Sequence, residues 1–149
     1  MRFPSASWPF SSILLAAFGA ALLVMGLYFI LLRPTLLPED LRYMGISSAQ
    51  LSTAVPRLAE WLNRVLSVLG GYVFASGVLI ITLAATSFRT HQWTAAIGAL
   101  VAGATSIGWM VVVNFAVDSD FKWVLLAIAL LWACSLGLFW FERGRVQRG

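Results

Sequence analysis

Four long apolar runs dominate the pattern of hydrophobic and polar positions along this 149-residue chain. They cover residues 13–32, 65–86, 94–117 and 121–141, and the first holds 20 residues without a charge. A helix needs roughly 20 apolar residues to cross the hydrocarbon core of a bilayer. Because backbone groups in lipid must be paired within their own segment, the pattern predicts four transmembrane helices.

Small residues recur at helical spacing within all four runs. The stripes are Ala16, Gly19, Ala20 and Gly26; Gly70, Gly71, Ala75, Ser76 and Gly77; Ala95, Ala99 and Gly103; and Ala129, Ala133 and Gly137. Small residues let helix backbones approach closely in lipid. The predicted fold is therefore all-α, a single domain over residues 1–149 that forms an integral membrane bundle of four transmembrane helices. Contact between copies of the chain is the alternative use of these stripes.

The long connection between the first two runs predicts two further helical segments. Pro38, followed by two acidic residues, is typical of the first turn of a short helix, which Gly45 then ends. Ser47 and Gln50 form a capping-box pattern, which predicts the start of an amphipathic helix. We expect this helix to lie at the membrane interface and to run into the second span, with a kink at Pro56.

Composition supports a membrane protein and argues against a nucleic-acid partner. The chain is 60% hydrophobic and 11% charged, whereas a soluble domain carries about 25% charged residues. Its net charge of +4 comes from basic residues scattered among the loops, without an aromatic-basic module. The bilayer is therefore the expected partner.

Four spans place both termini on the same side of the membrane as the loop between the second and third spans. The basic residues divide evenly, with Arg2, Arg89, Arg143, Arg145 and Arg148 on this side and Arg33, Arg42, Arg57, Arg64 and Lys122 on the other. Five of the six acids fall on the second side, and the densest basic cluster is C-terminal. We predict a multi-pass protein of the cell inner membrane with both termini cytoplasmic, and a first run that remains as an uncleaved helix.

Nine charged residues, which we call the collar, are predicted to surround the outer mouth of the bundle. They are Glu39, Asp40, Arg42, Arg57, Glu60, Arg64, Asp118, Asp120 and Lys122. Their nearly balanced signs favour a network of ion pairs over an electrostatic funnel. Two interpretations stay open: a structural clasp that fastens the first loop over the helix ends, or a lid over a cavity with Trp109 and Asn114 beneath it.

Three polar positions have simple structural interpretations. Asp118 and Asp120 supply two carboxylates, whereas a hard cation takes about six oxygen ligands, so we predict that Ser119 or Asp120 caps the fourth helix and that no metal binds. Asn114 lies inside the third span, where an interhelical hydrogen bond or a ligand contact is expected.

The single histidine and the single cysteine exclude several classes of protein. His91 is expected to face solvent or lipid headgroups, and Cys134 to be a small buried residue. A haem held by two histidines of one chain and a redox enzyme that forms an intrachain disulfide are both excluded. No span carries an acid at its centre, which argues against a proton-coupled transporter. The sequence therefore identifies no catalytic residue and no cofactor.

Several short stretches resemble small bacterial four-helix membrane proteins of the DoxX-like kind. They are "MGLYFILLRP", "LGGYVFASGV", "GATSIGWMVVVNF" and "DSDFKW", and together the resemblance covers most of the chain. It implies a four-helix bundle, and some proteins bearing that name are linked to respiratory quinol chemistry. No cofactor-binding residue is carried onto this sequence by the resemblance.

Three functional hypotheses follow. The leading one is a non-enzymatic polytopic inner-membrane protein that acts as an accessory subunit or binds a small hydrophobic molecule. The second is a membrane-embedded enzyme or transporter that uses the collar, and the third is a structural or oligomeric scaffold. The partners they imply are a small hydrophobic ligand or another membrane subunit.

Overall fold

The computed structural model describes residues 8–146, and side chains up to residue 144. Within this range the helices are α1 (Phe10–Leu31), α2 (Pro38–Met44), α3 (Ser48–Ala54), α4 (Leu58–Leu83), α5 (Trp93–Gly103), α6 (Trp109–Ala116) and α7 (Lys122–Val146). Two π-helical segments, Ala84–Phe88 and Ala104–Gly108, extend α4 and join α5 to α6. Arg2, Arg145 and Arg148, which entered the orientation prediction, lie outside the described side chains.

Four continuous helical stretches are long and apolar enough to cross a membrane. They cover Phe10–Leu31, Leu58–Phe88, Trp93–Ala116 and Lys122–Gly144. The described residues contain no strand. The prediction of an all-α membrane bundle is therefore confirmed, and the first two spans begin earlier than the apolar runs that predicted them.

The first loop folds into two short helices with the expected caps. The backbone N–H of Leu37 donates to Asp40 Oδ2 at 2.9 Å, and Gly45 ends α2 with a φ of 69°. Ser47 Oγ accepts from the Gln50 N–H at 3.2 Å, while Gln50 Oε1 accepts from the Ser47 N–H at 2.9 Å. Both helix starts that the sequence predicted are confirmed.

The chain breaks at Pro56, so the predicted continuous kinked helix is wrong. Val55 ends α3 with φ −139° and ψ 80°, and α4 begins at Leu58. Proline lacks an N–H donor and disfavours helical geometry in the residue before it. The segment Ser48–Ala54 is consequently a helix separate from α4.

Helix α1 packs closely and antiparallel against α4 through two pairs of glycines. Gly19 lies against Gly77, and Gly26 lies against Gly70. A Cβ atom at Gly26 would stand 2.6 Å from the Phe74 backbone nitrogen, and one at Gly77 would stand 2.7 Å from the Gly19 carbonyl oxygen. Since neither position has room for a side chain, the glycines set the distance between these helices.

The hydrophobic core occupies mainly the half of the bundle nearest the termini, which we call the terminal end. Its buried members are Leu15, Phe18, Leu22, Ile80, Ala84, Phe88, Ala95, Ala96, Ala99, Ile107, Leu125, Leu136 and Phe139. Helix α6 contributes no buried residue. The third span is therefore packed tightly at the terminal end and loosely at the collar end.

Trp132 of α7 attaches the third span to the rest of the bundle. Its indole N–H donates to the Ala99 carbonyl at 2.9 Å. The same ring lies against Gly103, where any Cβ atom would collide with it. This contact lies just before the π-helical segment, beyond which α6 has only partly buried residues against the core.

Glu142 of α7 closes the N-terminus of α1. Its carboxylate accepts the backbone N–H of Ser11 at 3.2 Å and also the Ser11 hydroxyl, which takes the place of a side-chain cap that Pro9 cannot provide. His91 Nε2 lies 3.4 Å from the same carboxylate. The start of α1, the α4–α5 loop and the end of α7 therefore meet at one end of the bundle, as a four-span topology requires.

Two expectations for single residues are wrong. His91 does not face solvent freely: its side chain is 18% exposed and stacks on the Phe139 ring, with 5.3 Å between ring centroids. The His91 ring also contacts the Glu142 carboxylate, so both neighbours hold the ring against α7. Cys134 is exposed on the outer face of α7 and is not part of the core. Sequence hydrophobicity does not distinguish these faces, because lipid-facing and core-facing positions are equally apolar.

We expect Gly26→Val to destabilise the bundle by about 1–3 kcal/mol, because the new side chain would collide with the α4 backbone. Gly71→Val is the matched control, since a Cβ atom there meets nothing within 4 Å. Thermal unfolding in detergent micelles, followed by circular dichroism, compares the two variants. Equal melting temperatures would contradict the proposed role of the close α1–α4 contact.

Glu142→Ala is expected to cost about 1–3 kcal/mol, because the buried Ser11 donors would lose their acceptor. Glu60→Ala removes a carboxylate whose ion pair with Arg64 is exposed, and it should cost less than about 1 kcal/mol. The same unfolding measurement tests both variants. A smaller loss for Glu142→Ala than for Glu60→Ala would contradict the capping role.

Candidate functional site

A cavity of about 540 Å³ lies at the collar end, between α1, α6 and α7 and beneath α2. We call it the collar cavity. Its lining residues are Ala21, Val24, Met25, Tyr28, Phe29, Arg33, Leu37, Glu39, Asp40, Met110, Asn114, Val117, Ser119, Phe121, Val124, Leu125 and Ile128. Its volume falls within the ~300–1,000 Å³ that is usual for small-molecule sites.

The deep part of the collar cavity is apolar. Ala21, Met25, Met110 and Ile128 line it, and Ala21 stands ten residues before the end of α1 at Leu31. At 1.5 Å per residue, the cavity reaches about 15 Å below the collar. It therefore extends from the collar surface to the middle of the first span.

The polar lining residues are concentrated at the mouth of the cavity. Arg33 lies 3.7 Å from Asp40 and places its guanidinium 5.2 Å from the centre of the Phe29 ring. Asp40 also accepts the backbone N–H of Leu37 within the α2 cap. These two opposite charges are therefore engaged with each other and with the protein.

Glu39 is the most deeply buried charged residue of the described part of the chain. It is 4% exposed, and Oε1 accepts from the Ser119 hydroxyl at 3.3 Å. Ser119 is equally buried, and its hydroxyl oxygen accepts the Phe121 N–H at 3.2 Å. No cation of the described residues pairs with Glu39, and Oε2 has no protein donor among them.

Other collar residues fasten α2 to the turn between α6 and α7. Arg42 binds Asp120 Oδ1 and the Asp118 carbonyl, each at 3.2 Å. Lys122 binds the Asp118 carboxylate one turn away. None of these four side chains lines the collar cavity, so they clasp the loop from outside while Glu39 and Asp40 face inward.

The Asp118–Lys122 pair is intact over the physiological pH range. The hydrogen bond from Lys122 and its positive charge hold the pKa of Asp118 below its ordinary value of 3.8, with a smaller contribution from Arg42. The pair therefore stabilises the turn above that pH. The stabilisation is lost only as the pH falls through the lower folded value.

Three of the predicted collar residues lie apart from the cavity. Arg64 pairs with Glu60 at 2.8 Å on the exposed face of α4. Arg57 is exposed between α3 and α4 and has no ion pair within the described part of the chain. The collar is thus divided into an inner group, an outer clasp and a separate α4 pair.

Asn114 lines the collar cavity, but its hydrogen bond is intrahelical. Its amide donates to the Met110 carbonyl at 2.9 Å, so the predicted interhelical bond is absent from the described residues. Met110 lies one helical turn before Asn114, so its carbonyl accepts the Asn114 hydrogen bond without a contribution from a neighbouring helix. The amide oxygen has no donor among the described residues.

Trp109 belongs to a neighbouring groove of about 440 Å³ between α4 and the third span. It is 64% exposed and does not line the collar cavity. Met25, Met110 and Asn114 line both spaces and form the wall between them. Trp109 therefore faces the expected lipid phase and does not lie beneath the collar.

The collar cavity opens on the side of the bundle. Val24 of α1 and Val124 of α7 both line it, and they are 68% and 57% exposed. In a membrane this opening would face hydrocarbon.

A depression of about 630 Å³ at the terminal end is lined almost entirely by the single stretch 85–92, so it is a surface hollow and not a space between helices.

Among the described residues, the facing carboxylates that an enzyme using the collar would need are not brought together. Asp118 pairs with Lys122 outside the cavity and does not face Glu39 or Asp40 across it. At the terminal end Glu142 separates Ser11 from His91, so the hydrogen bond from nucleophile to base is missing. No group of three or more potential metal ligands occurs within the described residues.

Sequence reasoning missed most of the cavity. The sequence identifies Arg33 only as a loop charge and Phe29 only as part of the first apolar run, whereas the structure places the Arg33 guanidinium over the Phe29 ring and both residues at the cavity. Met25 and Met110 cannot be recognised as lining residues from the sequence, because apolar residues fill every span.

No family model, curated protein or solved structure matches this chain, so function is argued from the cavity.

Arg42→Gln is expected to speed amide hydrogen exchange in α2 by up to about fivefold while leaving global stability nearly unchanged, since an exposed ion pair contributes at most about 1 kcal/mol. Hydrogen-exchange mass spectrometry of Pro38–Met44 measures this. Arg64→Gln, which breaks an exposed pair within one helix, should leave α2 exchange unaltered. Unchanged exchange in Arg42→Gln would contradict the clasp.

Proposed function

We propose that this protein is a non-enzymatic, multi-pass membrane protein that binds a small amphipathic molecule in the collar cavity. The observation that carries the proposal is the distribution of polarity within the one collar cavity. An apolar shaft about 15 Å deep ends beneath a mouth formed by Arg33, Glu39, Asp40 and Ser119. A ligand with an apolar tail and a polar head matches this distribution.

The side opening supports access from the bilayer. A hydrophobic molecule concentrates in the membrane, and an opening between Val24 and Val124 would admit it without passage through water. The clasp formed by Arg42 and Asp120 meanwhile covers the mouth from the aqueous side. The ligand's head would then lie beneath α2, and its tail would point to the middle of the membrane.

The absence of a catalytic arrangement in the described residues favours binding over chemistry. The clasp charges are engaged in ion pairs, Asp40 is paired with Arg33, and Asp118 lies outside the cavity, so no second carboxylate faces Glu39 across it. A binder needs only a shaped space and a few polar contacts. The enzyme alternative needs catalytic side chains as well, and the proton-coupled transporter alternative needs an acidic side chain within the membrane.

The proposal includes the location predicted from the sequence, which is the inner membrane with both termini in the cytoplasm. With both termini in the cytoplasm of a bacterial cell, the collar would face the opposite side of the inner membrane. The DoxX-like resemblance is consistent with such a location, and we keep it as part of the proposal. An accessory role beside another membrane subunit would place the bound molecule within that subunit's reach.

The scaffold alternative is favoured by one observation. Gly98 and Gly137 lie on the exposed faces of α5 and α7, where an added Cβ atom meets nothing within 4 Å. Small exposed residues permit close contact with another helix in lipid. A stable oligomer with an empty cavity in native mass spectra would support this alternative over binding.

The decisive experiment is native mass spectrometry of the protein extracted from its own membrane. We expect an amphiphile to co-purify with the wild-type protein and to be lost from Ala21→Phe, because the larger side chain fills the deep part of the cavity. Ala20→Phe is the matched control, since Ala20 lies on the neighbouring exposed face of α1. An empty wild-type protein, or equal retention by Ala21→Phe, would contradict the proposal.

A further inference from the structure

We infer that the head group taken by the collar cavity is cationic and donates hydrogen bonds, as an ammonium group does. This inference rests on the proposed function and specifies its ligand class. The observation behind it is the juxtaposition of a buried, uncompensated carboxylate, Glu39, with the polar mouth of an apolar cavity.

Burial of Glu39 is the first step of the argument. The carboxylate lies beneath α2 and against the α6–α7 turn, and its only hydrogen bond from a described residue comes from Ser119. A buried carboxylate is costly unless it is paired with a cation and its oxygens accept hydrogen bonds. One oxygen of Glu39 lacks such a donor, while the residue lines a space that holds no protein atoms.

The charge balance of the mouth is the second step. Arg33 is engaged by Asp40, by the Phe29 ring and by the Pro34 carbonyl. Arg42 and Lys122 are engaged by Asp120 and Asp118 outside the cavity. Glu39 therefore leaves the three charged residues that line the cavity, Arg33, Glu39 and Asp40, with one excess negative charge.

The hydrogen-bonding character of the cavity is the third step. Asn114 lines the cavity and donates one amide N–H to the Met110 carbonyl within α6, and its amide oxygen has no donor among the described residues. The Ser119 hydroxyl donates its hydrogen bond to Glu39. Glu39 Oε2 and the Asn114 amide oxygen are therefore two acceptors of lining residues that have no donor among the described residues, and a head group that donates hydrogen bonds would satisfy them.

The two ends of the cavity together define the ligand class. A protonated amine would pair with Glu39 through charge-assisted hydrogen bonds, which are about twice as strong as neutral ones. An aliphatic tail would occupy the space lined by Met25, Met110 and Ile128. A carboxylate or phosphate head on the same tail would instead meet an excess of negative charge.

Three probes that share one tail test this inference: dodecylamine, dodecanol and dodecanoate. Their binding to the detergent-free protein in amphipol at pH 7 is measured by isothermal titration calorimetry. We expect wild-type protein to bind dodecylamine at least about tenfold more tightly than dodecanoate, with dodecanol between them. In Glu39→Gln, an isosteric change that keeps an oxygen for Ser119, the amine should lose its advantage and bind within about threefold of dodecanol.

Two controls separate the possible failures. Glu60→Gln removes a collar carboxylate remote from the cavity and should keep the wild-type preference. Equal binding of all three probes, with loss of all three in Ala21→Phe, would overturn the cationic head group and leave the binding site intact. Retention of the amine preference in Glu39→Gln would overturn the role of Glu39. Binding of no probe by the wild-type protein would overturn the proposed function together with this inference.

Discussion

The close contact between α1 and α4 is the constraint on which the rest of the structure depends. In lipid, apolar side chains gain little by leaving one hydrocarbon environment for another, so helices associate mainly through close packing. Gly19 and Gly26 face Gly77 and Gly70, and each pair brings backbone atoms to a distance that no Cβ atom would permit. This contact holds α1 in the middle of the bundle, where α7 packs on another of its faces.

The collar cavity follows from how unevenly the other helices pack on this pair. The core from Leu15 to Phe139 fills the terminal end, and Trp132 binds the third span there through Ala99 and Gly103. Beyond the π-helical segment Ala104–Gly108, α6 has no buried residue. The space that opens is closed from the aqueous side only by α2 and its clasp.

The collar combines two roles that the sequence presented as alternatives. Arg42 and the Asp118–Lys122 pair hold the first loop against the α6–α7 turn, as a clasp does. Glu39, three residues before Arg42 on the same short helix, instead lines the cavity. The same short helix therefore both fastens the loop and contributes a lining residue to the site.

The sequence by itself determined the number of spans, the helical class and the caps of the short helices. These depend on local quantities: the length of an apolar run, and the side chain that satisfies a nearby backbone group. Only the tertiary structure decided that Glu39 is buried while Asp118 is paired outside, that Trp109 faces outward, and that Arg33 lines the mouth of the cavity. Those outcomes depend on which face each helix presents to its neighbours, and in a membrane both faces are apolar, so hydrophobic periodicity does not reveal it.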